Sequence, residues 1–478
     1  MDFSALPTTA FIHPAGKNRV AIAALLHQVV DLLVDTMAQA SDRSPLPNPL
    51  VLEDAVKLPE TSIGIEQLLK EMRSQLHHSM NAAHPGYIGH MDSMPTTLSV
   101  IGDCLVAALN NNMLSVEMSP VFSQLETLVI RQIAQLFGLG ANANGVLVSG
   151  GSLANLQALI VARNTIFNIF ENGIPPGKQP VFLVSEVAHT SFQKAAMVMG
   201  LGTRAAISVA TNQNSQMDID DLTDKLSQAQ ANGQHPFALV ATAGTTVTGS
   251  IDPIIDMAKI AQHHKLWLHV DAAYGGAVIL SERHRHLLSG IEQADSVTFN
   301  PQKWLYISKT CSMVLFRQFD QLQRYFRVSA PYMHDHHQWP NLGELTIQGT
   351  RHPDILKLWL SLQHIGRQGY DIIIEHTYAL TRLFTNAVKA RPFLALASEP
   401  QMNLICFRSE LPTISIDRRD DWNYQLQQWL LKQGNTFLSL PVYRKERWLK
   451  AVLLNPFTTQ THIEQLFAHI DDFHQRHA

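Results

Sequence analysis

The chain has 478 residues, 46% of them hydrophobic and 16% charged, with a formal net charge of −4. That length exceeds one simple core and predicts two or three units sharing a large α/β body. The mild charge gives no basis for a nucleic-acid or anionic-membrane partner. Cys104, Cys311 and Cys406 are odd in number and far apart, which argues against a disulfide scaffold. The 23 histidines form no HExxH or other ligand-spaced pair in a convincing context, so no metal site is expected. The start MDFSALPTTAFIHPAGKNR lacks the basic, then apolar pattern of a signal peptide. His27, Gln28 and Asp31 interrupt the apolar stretch that follows, which weighs against a membrane span. A cytoplasmic chain is expected.

In chain order, residues 20–37 read as a helix with Ile22, Leu25, Leu26, Val29 and Leu33 on one stripe. A proline-rich connector over 41–59 and a short helix over 65–78 follow. Residues 81–95, NAAHPGYIGHMDSMP, are rich in turn-formers and histidine. Helices are predicted over 96–110 and 119–137; the second opens on Ser119-Pro120 and carries Phe122, Leu125, Leu128, Val129, Ile133 and Leu136 on one face. A strand over 145–148 runs into Ser149-Gly150-Gly151-Ser152 and a helix over 153–164. Such a junction offers unpaired N–H groups and a positive dipole end, which suit a phosphate. There is no GxGxxG and no Walker lysine.

Further buried strands are predicted over 181–185, before Glu186 to Ser191, and over 236–242, before Gly244-Thr245-Thr246. A helix from Asp252-Pro253 to His264 leads to a strand over 265–270 that delivers Asp271. Ala272, Ala273, Gly275 and Gly276 follow, as if something flat lay against the backbone. A last apolar run, 296–299, delivers Asn300, Pro301, Gln302 and Lys303. Alternating strands and helices predict a mostly parallel sheet, and ligands collect at the carboxyl ends of such strands. An acid and a lysine at that edge suit pyridoxal 5′-phosphate (PLP), whose aldehyde needs a lysine and whose ring nitrogen needs an acid. A helix over 353–364 follows. From 370 a long helix, strands over 404–408 and 448–454, and a helix from 461 predict a small α+β portion.

Four motifs in order carry a resemblance: SGGSLAN from Ser149, AHTS from Ala188, HVDAAYGG from His269 and NPQKW from Asn300. The chain resembles the group II PLP-dependent amino-acid decarboxylases, which include aromatic-amino-acid, glutamate and cysteine-sulfinate decarboxylases, from about Asn81 to Tyr370. The resemblance implies a PLP-dependent transferase-like (fold type I) α/β domain over 96–365. It also implies an N-terminal helical dimerisation segment over 1–95 and a small C-terminal α+β domain over 366–478. It assigns Lys303 to the cofactor aldehyde, Asp271 to the ring nitrogen, and Ala273 and His189 to the two ring faces, with His189 also orienting the substrate carboxylate. Ser149, Gly151, Ser152 and Asn300 are the phosphate candidates, and Thr246 a hydrogen-bond partner near the ring. His84 and Tyr87, on the segment that walls the family's substrate pocket, become substrate neighbours. Gly349 and Thr350 would approach the PLP phosphate of a partner subunit, so that a homodimer shares its active sites.

Two departures stand out. Gln302 replaces the histidine that precedes the lysine in many members, and it cannot titrate. The loop between Arg317 and Thr350 is short; within it Tyr332 is the candidate acid that returns a proton, with His334, His336 and His337 as alternatives. The expected activity is decarboxylation of an L-amino acid to a primary amine and CO2. Trp304 and the mild charge lean toward an aromatic substrate, with acidic and diamino substrates as alternatives. Positioning decides which bond breaks, so aminotransfer, carbon–carbon lysis and oxidative deamination stay open, as does a non-catalytic PLP-binding scaffold.

Overall fold

The computed structural model describes residues 6–50, 58–329, 331, 338–411 and 415–477. Among these, seven strands form the central sheet: β1 (Asn144–Val148), β2 (Pro180–Ser185), β3 (Ala206–Val209), β4 (His235–Thr242), β5 (Trp267–Ala272), β6 (Ser296–Phe299) and β7 (Ser312–Phe316). Their spatial order is β1-β7-β6-β5-β4-β2-β3, and β7 alone runs against its neighbours. Strands β1, β2, β5, β6 and β7 are buried at every position. Continuous apolar runs of this kind belong to a parallel sheet covered on both faces. The expected strands lie within two residues of those observed, whereas β3 and β7 had not been anticipated.

Helices α1 (Arg19–Ala38), α2 (Ile65–His78), α3 (Thr97–Leu109) and α4 (Pro120–Leu136) precede the sheet. Helices α5 (Gly151–Phe167), α6 (Ser191–Val198), α7 (Ile219–Ala231), α8 (Ile254–His264) and α9 (Phe319–Phe326) lie between or after its strands. Proline at the first turn opens α4, whose missing N–H costs nothing there. Its buried side includes Phe122, Val129, Ile130 and Ile133, but Leu128 and Leu136 stay exposed. On α1 only Ile22 and Leu32 are buried, so most of the expected stripe is uncovered. Among the described residues α1 is the one helix long and apolar enough, by length and composition alone, to cross a membrane; His27, Gln28 and Asp31 lie within it.

The helices expected on either side of residue 366 form one element, α10 (Ile355–Lys389), whose backbone breaks at Gly366 (φ 68°, ψ 168°). Beyond it come β8 (Leu394–Leu396), β9 (Leu404–Ser409), α11 (Ile416–Gln433), the hairpin β10 (Val442–Tyr443) and β11 (Glu446–Arg447), β12 (Leu449–Val452) and α12 (Gln460–His477). Strands β12, β9 and β8 form an antiparallel sheet with its own apolar cluster, including Phe384, Phe407, Leu426 and Phe467.

A buried ion pair ties α4 and β1 to the segment that precedes α10. Glu126 of α4 accepts two hydrogen bonds from the Arg351 guanidinium (2.8 and 3.1 Å) and one from Leu147 N–H of β1 (3.0 Å). Both side chains are almost fully buried, so removing one leaves an uncompensated charge. We predict that Arg351→Ala destabilises the chain by about 3–5 kcal/mol, read as a lower midpoint in urea unfolding. A loss below about 1 kcal/mol would show that water solvates Glu126.

Candidate active site

The carboxyl ends of β1, β2, β4, β5 and β6 surround a cavity of about 400 Å³. Lys303, Asp271, Ala273 and His189 line it, and so do Ser149, Gly151, Ser152, Thr246 and Asn300. Five separate segments are therefore brought to one sheet edge.

Asp271 stands at the end of β5, nearly buried. One carboxylate oxygen accepts from Asn155 Nδ2 (2.9 Å) and the other from Ala273 N–H (3.1 Å). Asn155 is set in turn by a buried chain: Trp267 Nε1 donates to Ser296 Oγ (2.8 Å), which meets His269 Nδ1 (2.9 Å), and His269 Nε2 meets Asn155 Oδ1 (3.1 Å). The Asn155 amide N–H faces the Asp271 carboxylate, so its Oδ1 accepts the His269 Nε2 proton, and the neutral ring accepts at Nδ1 from the Ser296 hydroxyl. Burial pushes the His269 pKa down to about 4, despite the nearby Asp271. The ring is neutral at physiological pH, and Asn155 keeps its amide N–H groups for Asp271 and Ser191.

His189 follows β2, and its Nδ1 accepts from Ser191 N–H (3.2 Å), which leaves the ring proton on Nε2. Burial lowers its pKa, opposed by Asp271. Lys303 lies in the connection from β6 to β7, with its backbone carbonyl held by Ser93 Oγ (3.1 Å). Burial lowers the pKa of its amine as well, again opposed by Asp271. A lysine so desolvated is a better nucleophile toward an aldehyde.

Gly150 takes φ 151° between β1 and α5, a conformation that side chains rarely adopt. At Gly151 a Cβ would lie 2.8 Å from Asn300 Nδ2, so glycine is what lets the two segments close. The Asn300 carboxamide makes no hydrogen bond to the described residues, and its oxygen is buried. Together with the opening N–H groups of α5, this forms a cradle of neutral donors for an anion. These residues fit PLP: a phosphate cradle, a held carboxylate and a desolvated lysine share one cavity.

Several expectations change. His84 is absent from the cavity wall; its Nδ1 accepts from Gly86 N–H (2.8 Å) and its Nε2 meets Asn435 (3.0 Å), in a separate cleft. Tyr87 is buried, with its hydroxyl on Met80 Sδ (2.8 Å) and its ring against Phe437. The expectation for Gly349 and Thr350 concerns a partner's cavity and stands as it was; in this chain Thr350 Oγ1 accepts from Asn112 (3.3 Å). Gly275 and Gly276 are small because Met402, the Ala243 carbonyl and Phe299 pack on them, and no flat ligand is needed. Trp304 is fully buried and stacked on Tyr274, so it says nothing about the substrate. Tyr332, His334, His336 and His337 lie outside the described residues.

Sequence reasoning missed Asn155, whose only trace is a polar residue in the helix after the glycine turn. It also missed Lys450 of β12, which donates to the carbonyl of Thr246 at the cavity wall (3.3 Å). Among the described residues, Asp103, His352 and Asp354 come within reach of one another as metal ligands could. The Lys357 ammonium already pairs both carboxylates (3.0 and 2.9 Å), so the protein supplies that cation itself.

Residues 47–410 match the pyridoxal-dependent decarboxylase conserved domain. The chain belongs to the pyridoxal-dependent decarboxylase family. It is a PLP-dependent amino-acid decarboxylase. Rat cysteine sulfinic acid decarboxylase is 31% identical over 474 residues, covering 95% of this chain and 96% of the relative. L-2,4-diaminobutyrate decarboxylase of Acinetobacter baumannii is 31% identical over 427 residues, covering 85% and 84%. The apo crystal structure of mouse CSAD superposes with a TM-score of 0.89 at 30% identity, covering 95% of this chain and 99% of that one. Oryza sativa TDC with PLP and tryptamine gives a TM-score of 0.91 at 22% identity, with 98% and 99% covered, and shares the fold.

In this decarboxylase the Asn155 relay has a measurable role. Asn155→Leu strips Asp271 of its side-chain donor and leaves His269 Nε2 with only a long contact to Thr298 Oγ1 (3.5 Å). We predict a loss in kcat/KM on the order of tenfold to hundredfold, as for one hydrogen bond to a charged group, with weaker PLP retention on dialysis. Unchanged values for both would exclude the relay as the device that holds Asp271.

Proposed function

We propose that the enzyme decarboxylates an L-amino acid whose side chain ends in an anion, a carboxylate or a sulfinate. The observation that carries this is Lys450. It is buried behind Thr246, a cavity-wall residue to whose carbonyl it donates, and among the described residues no carboxylate forms a salt bridge with it, although Asp92 acts on it from farther off. The salt-bridge partner of Asp92 is Lys309. A cation without a direct partner behind the wall favours an acidic side chain and penalises an ammonium. The relative acting on cysteine sulfinate supports this reading, and the one acting on diaminobutyrate supports the competing one.

In this proposal Lys303 holds the cofactor covalently, the Ser149–Ser152 turn and Asn300 hold its phosphate, and Asp271 keeps its ring nitrogen protonated. PLP, when bound, accepts the electron pair left as the Cα–CO2 bond breaks. His189 would pack against the ring of a bound cofactor and offer Nε2–H to the substrate carboxylate, and Ala273 would pack against the ring from the β5 side. Thr246 supplies a hydrogen bond near the ring. Tyr332 remains our choice for the group that returns a proton to Cα, with the neighbouring histidines as alternatives.

A second copy completes the proposal. Leu26, Val30, Leu33, Val34 and Met37 of α1 are exposed, and so are Ile101, Leu105 and Leu109 of α3. Contiguous apolar faces of this kind call for cover, and a two-fold pair covers like with like. Gly349 and Thr350 would then serve the partner's cavity. Units over 1–95, 96–365 and 366–478 remain our division, and the break at Gly366 supports the second boundary.

The deciding experiment is a panel of L-amino acids that includes cysteine sulfinate, aspartate, glutamate, 2,4-diaminobutyrate and DOPA, with CO2 and amine measured together. We expect turnover with an acidic member; preference for diaminobutyrate or DOPA would overturn the reading. Lys450→Met should then cost the acidic substrate about tenfold to hundredfold in kcat/KM, whereas Lys450→Arg should retain most activity.

The pH dependence follows from the same residue. Burial lowers the Lys450 pKa to about 8, so the cation is present below that pH and lost above it. KM for the acidic substrate should therefore rise as pH passes 8, and Lys450→Arg should flatten that rise.

A further inference from the structure

The residue after Lys303 is the centre of a buried aromatic group. Trp304 is fully buried, and its indole N–H makes no hydrogen bond to the described residues. Ring packing therefore places it: Tyr274 stacks on it (centroids 5.1 Å apart, planes 23° apart) and Tyr378 of α10 lies against it (6.0 Å, 33°). Both tyrosine hydroxyls then reach one short segment. Tyr274 Oη donates to Asn403 Oδ1 (2.6 Å), and Tyr378 Oη donates to the Gln401 carbonyl (3.1 Å). Burial raises the pKa of both phenols, so both remain donors.

Asn403 fixes its end of this tie. Its Nδ2 donates to the Leu453 carbonyl (3.1 Å), which can only accept, so Oδ1 is left to face Tyr274. The Leu453 N–H returns a bond to the Asn403 carbonyl (2.8 Å). Asn403 is fully buried, and moving it would strand a polar group without a partner. Leu453 directly follows β12, the strand that carries Lys450. One residue before Asn403, Met402 presses on the turns at Gly244 and Gly275, where a Cβ would lie 2.8 and 2.1 Å from its side chain. Residues 401–403 thus grip the turns after β4 and β5 and, through two tyrosines, the residue next to Lys303.

We propose that Asn403 is a positioning residue for Lys303, acting through Tyr274 and Trp304 to hold the lysine in place against the wall that carries Ala273. Asn403 itself does not line the cavity. The inference rests on reading Lys303 as the residue that holds the cofactor. It makes the small sheet part of the catalytic geometry, because β12 and the lysine are joined by one path of hydrogen bonds and ring contacts. Loss of the tie misplaces the lysine without emptying the site, so it acts on turnover more than on binding.

Tyr274→Phe disturbs least, since it keeps the ring on Trp304 and removes only the hydroxyl. The PLP-loaded enzyme would be compared by kcat, by KM and by visible circular dichroism per bound PLP, which reads the geometry in which the protein holds the cofactor. We expect kcat to fall about tenfold, as for one buried hydrogen bond left unmade, KM to change by less than about twofold, and the dichroic signal to weaken. Asn403→Ala should act in the same direction, and the double variant should be no worse than the more affected single one, because both remove one contact. Unchanged kcat and dichroism in Tyr274→Phe, whether or not the urea midpoint falls, would mark a merely structural tie and overturn the inference. Losses that add in full in the double variant would overturn it too. Should Asn403→Ala not fold, Tyr274→Phe decides alone.

Lys303→Ala serves as the control. If borohydride still fixes PLP covalently to the cavity of that variant, the reading of Lys303 falls and the inference with it. If it does not, and Tyr274→Phe is silent, only the role of Asn403 falls.

Discussion

Supplying donors to the Asp271 carboxylate at the end of a buried strand is the constraint on which the site depends. A buried polar group without hydrogen-bond partners is costly. Here two N–H donors hold it, one from Asn155 and one from the backbone of Ala273. The donor from Asn155 points correctly because His269, Ser296 and Trp267 leave it no other arrangement. The side chains of three strand residues and one helix residue are thus spent on a single charge. The same carboxylate opposes the lowering of the Lys303 and His189 pKa values that burial causes.

Burial strips Lys303 and His189 of solvent and favours their neutral forms. Asp271, buried beside them, is held by its two hydrogen bonds.

The strand ends of the central sheet were legible in the sequence because fully buried strands read as unbroken apolar runs, and each run stops where chemistry begins. SGGS, AHTS, HVDAA and NPQKW all sit at such stops, so their residues converge on one cavity. What escaped the sequence depends on contacts between distant segments. His84 and Tyr87 sit in a turn-rich loop that invites a binding role, yet their partners include Asn435 and Phe437, far along the chain. Lys450 is a single lysine in a short strand, with nothing local to show that Thr246 receives it. Trp304 adjoins the key lysine in sequence, but the turn there sends the ring into the core. Strand β7 was missed for a different reason: SMVLF is apolar enough, but it runs antiparallel in a sheet whose other connections are crossovers.

The reversal of β7 has a mechanical meaning. Because β6 and β7 are antiparallel neighbours, the segment bearing Lys303 leaves and re-enters the sheet at the same edge, with both ends clasped. The lysine is therefore fixed to the central sheet, while Lys450 rides on the small sheet formed by β12, β9 and β8. In the proposed reading, where Lys450 meets the far end of the substrate, the span between that end and the reacting end is a distance between two packed bodies. Contacts such as Tyr306 Oη to the Leu454 carbonyl (2.7 Å) and Tyr274 Oη to Asn403 (2.6 Å) hold those bodies in register. Substitutions in that seam could lengthen or shorten the preferred substrate by a methylene without touching it, giving selection a ruler that is separate from the catalytic chemistry.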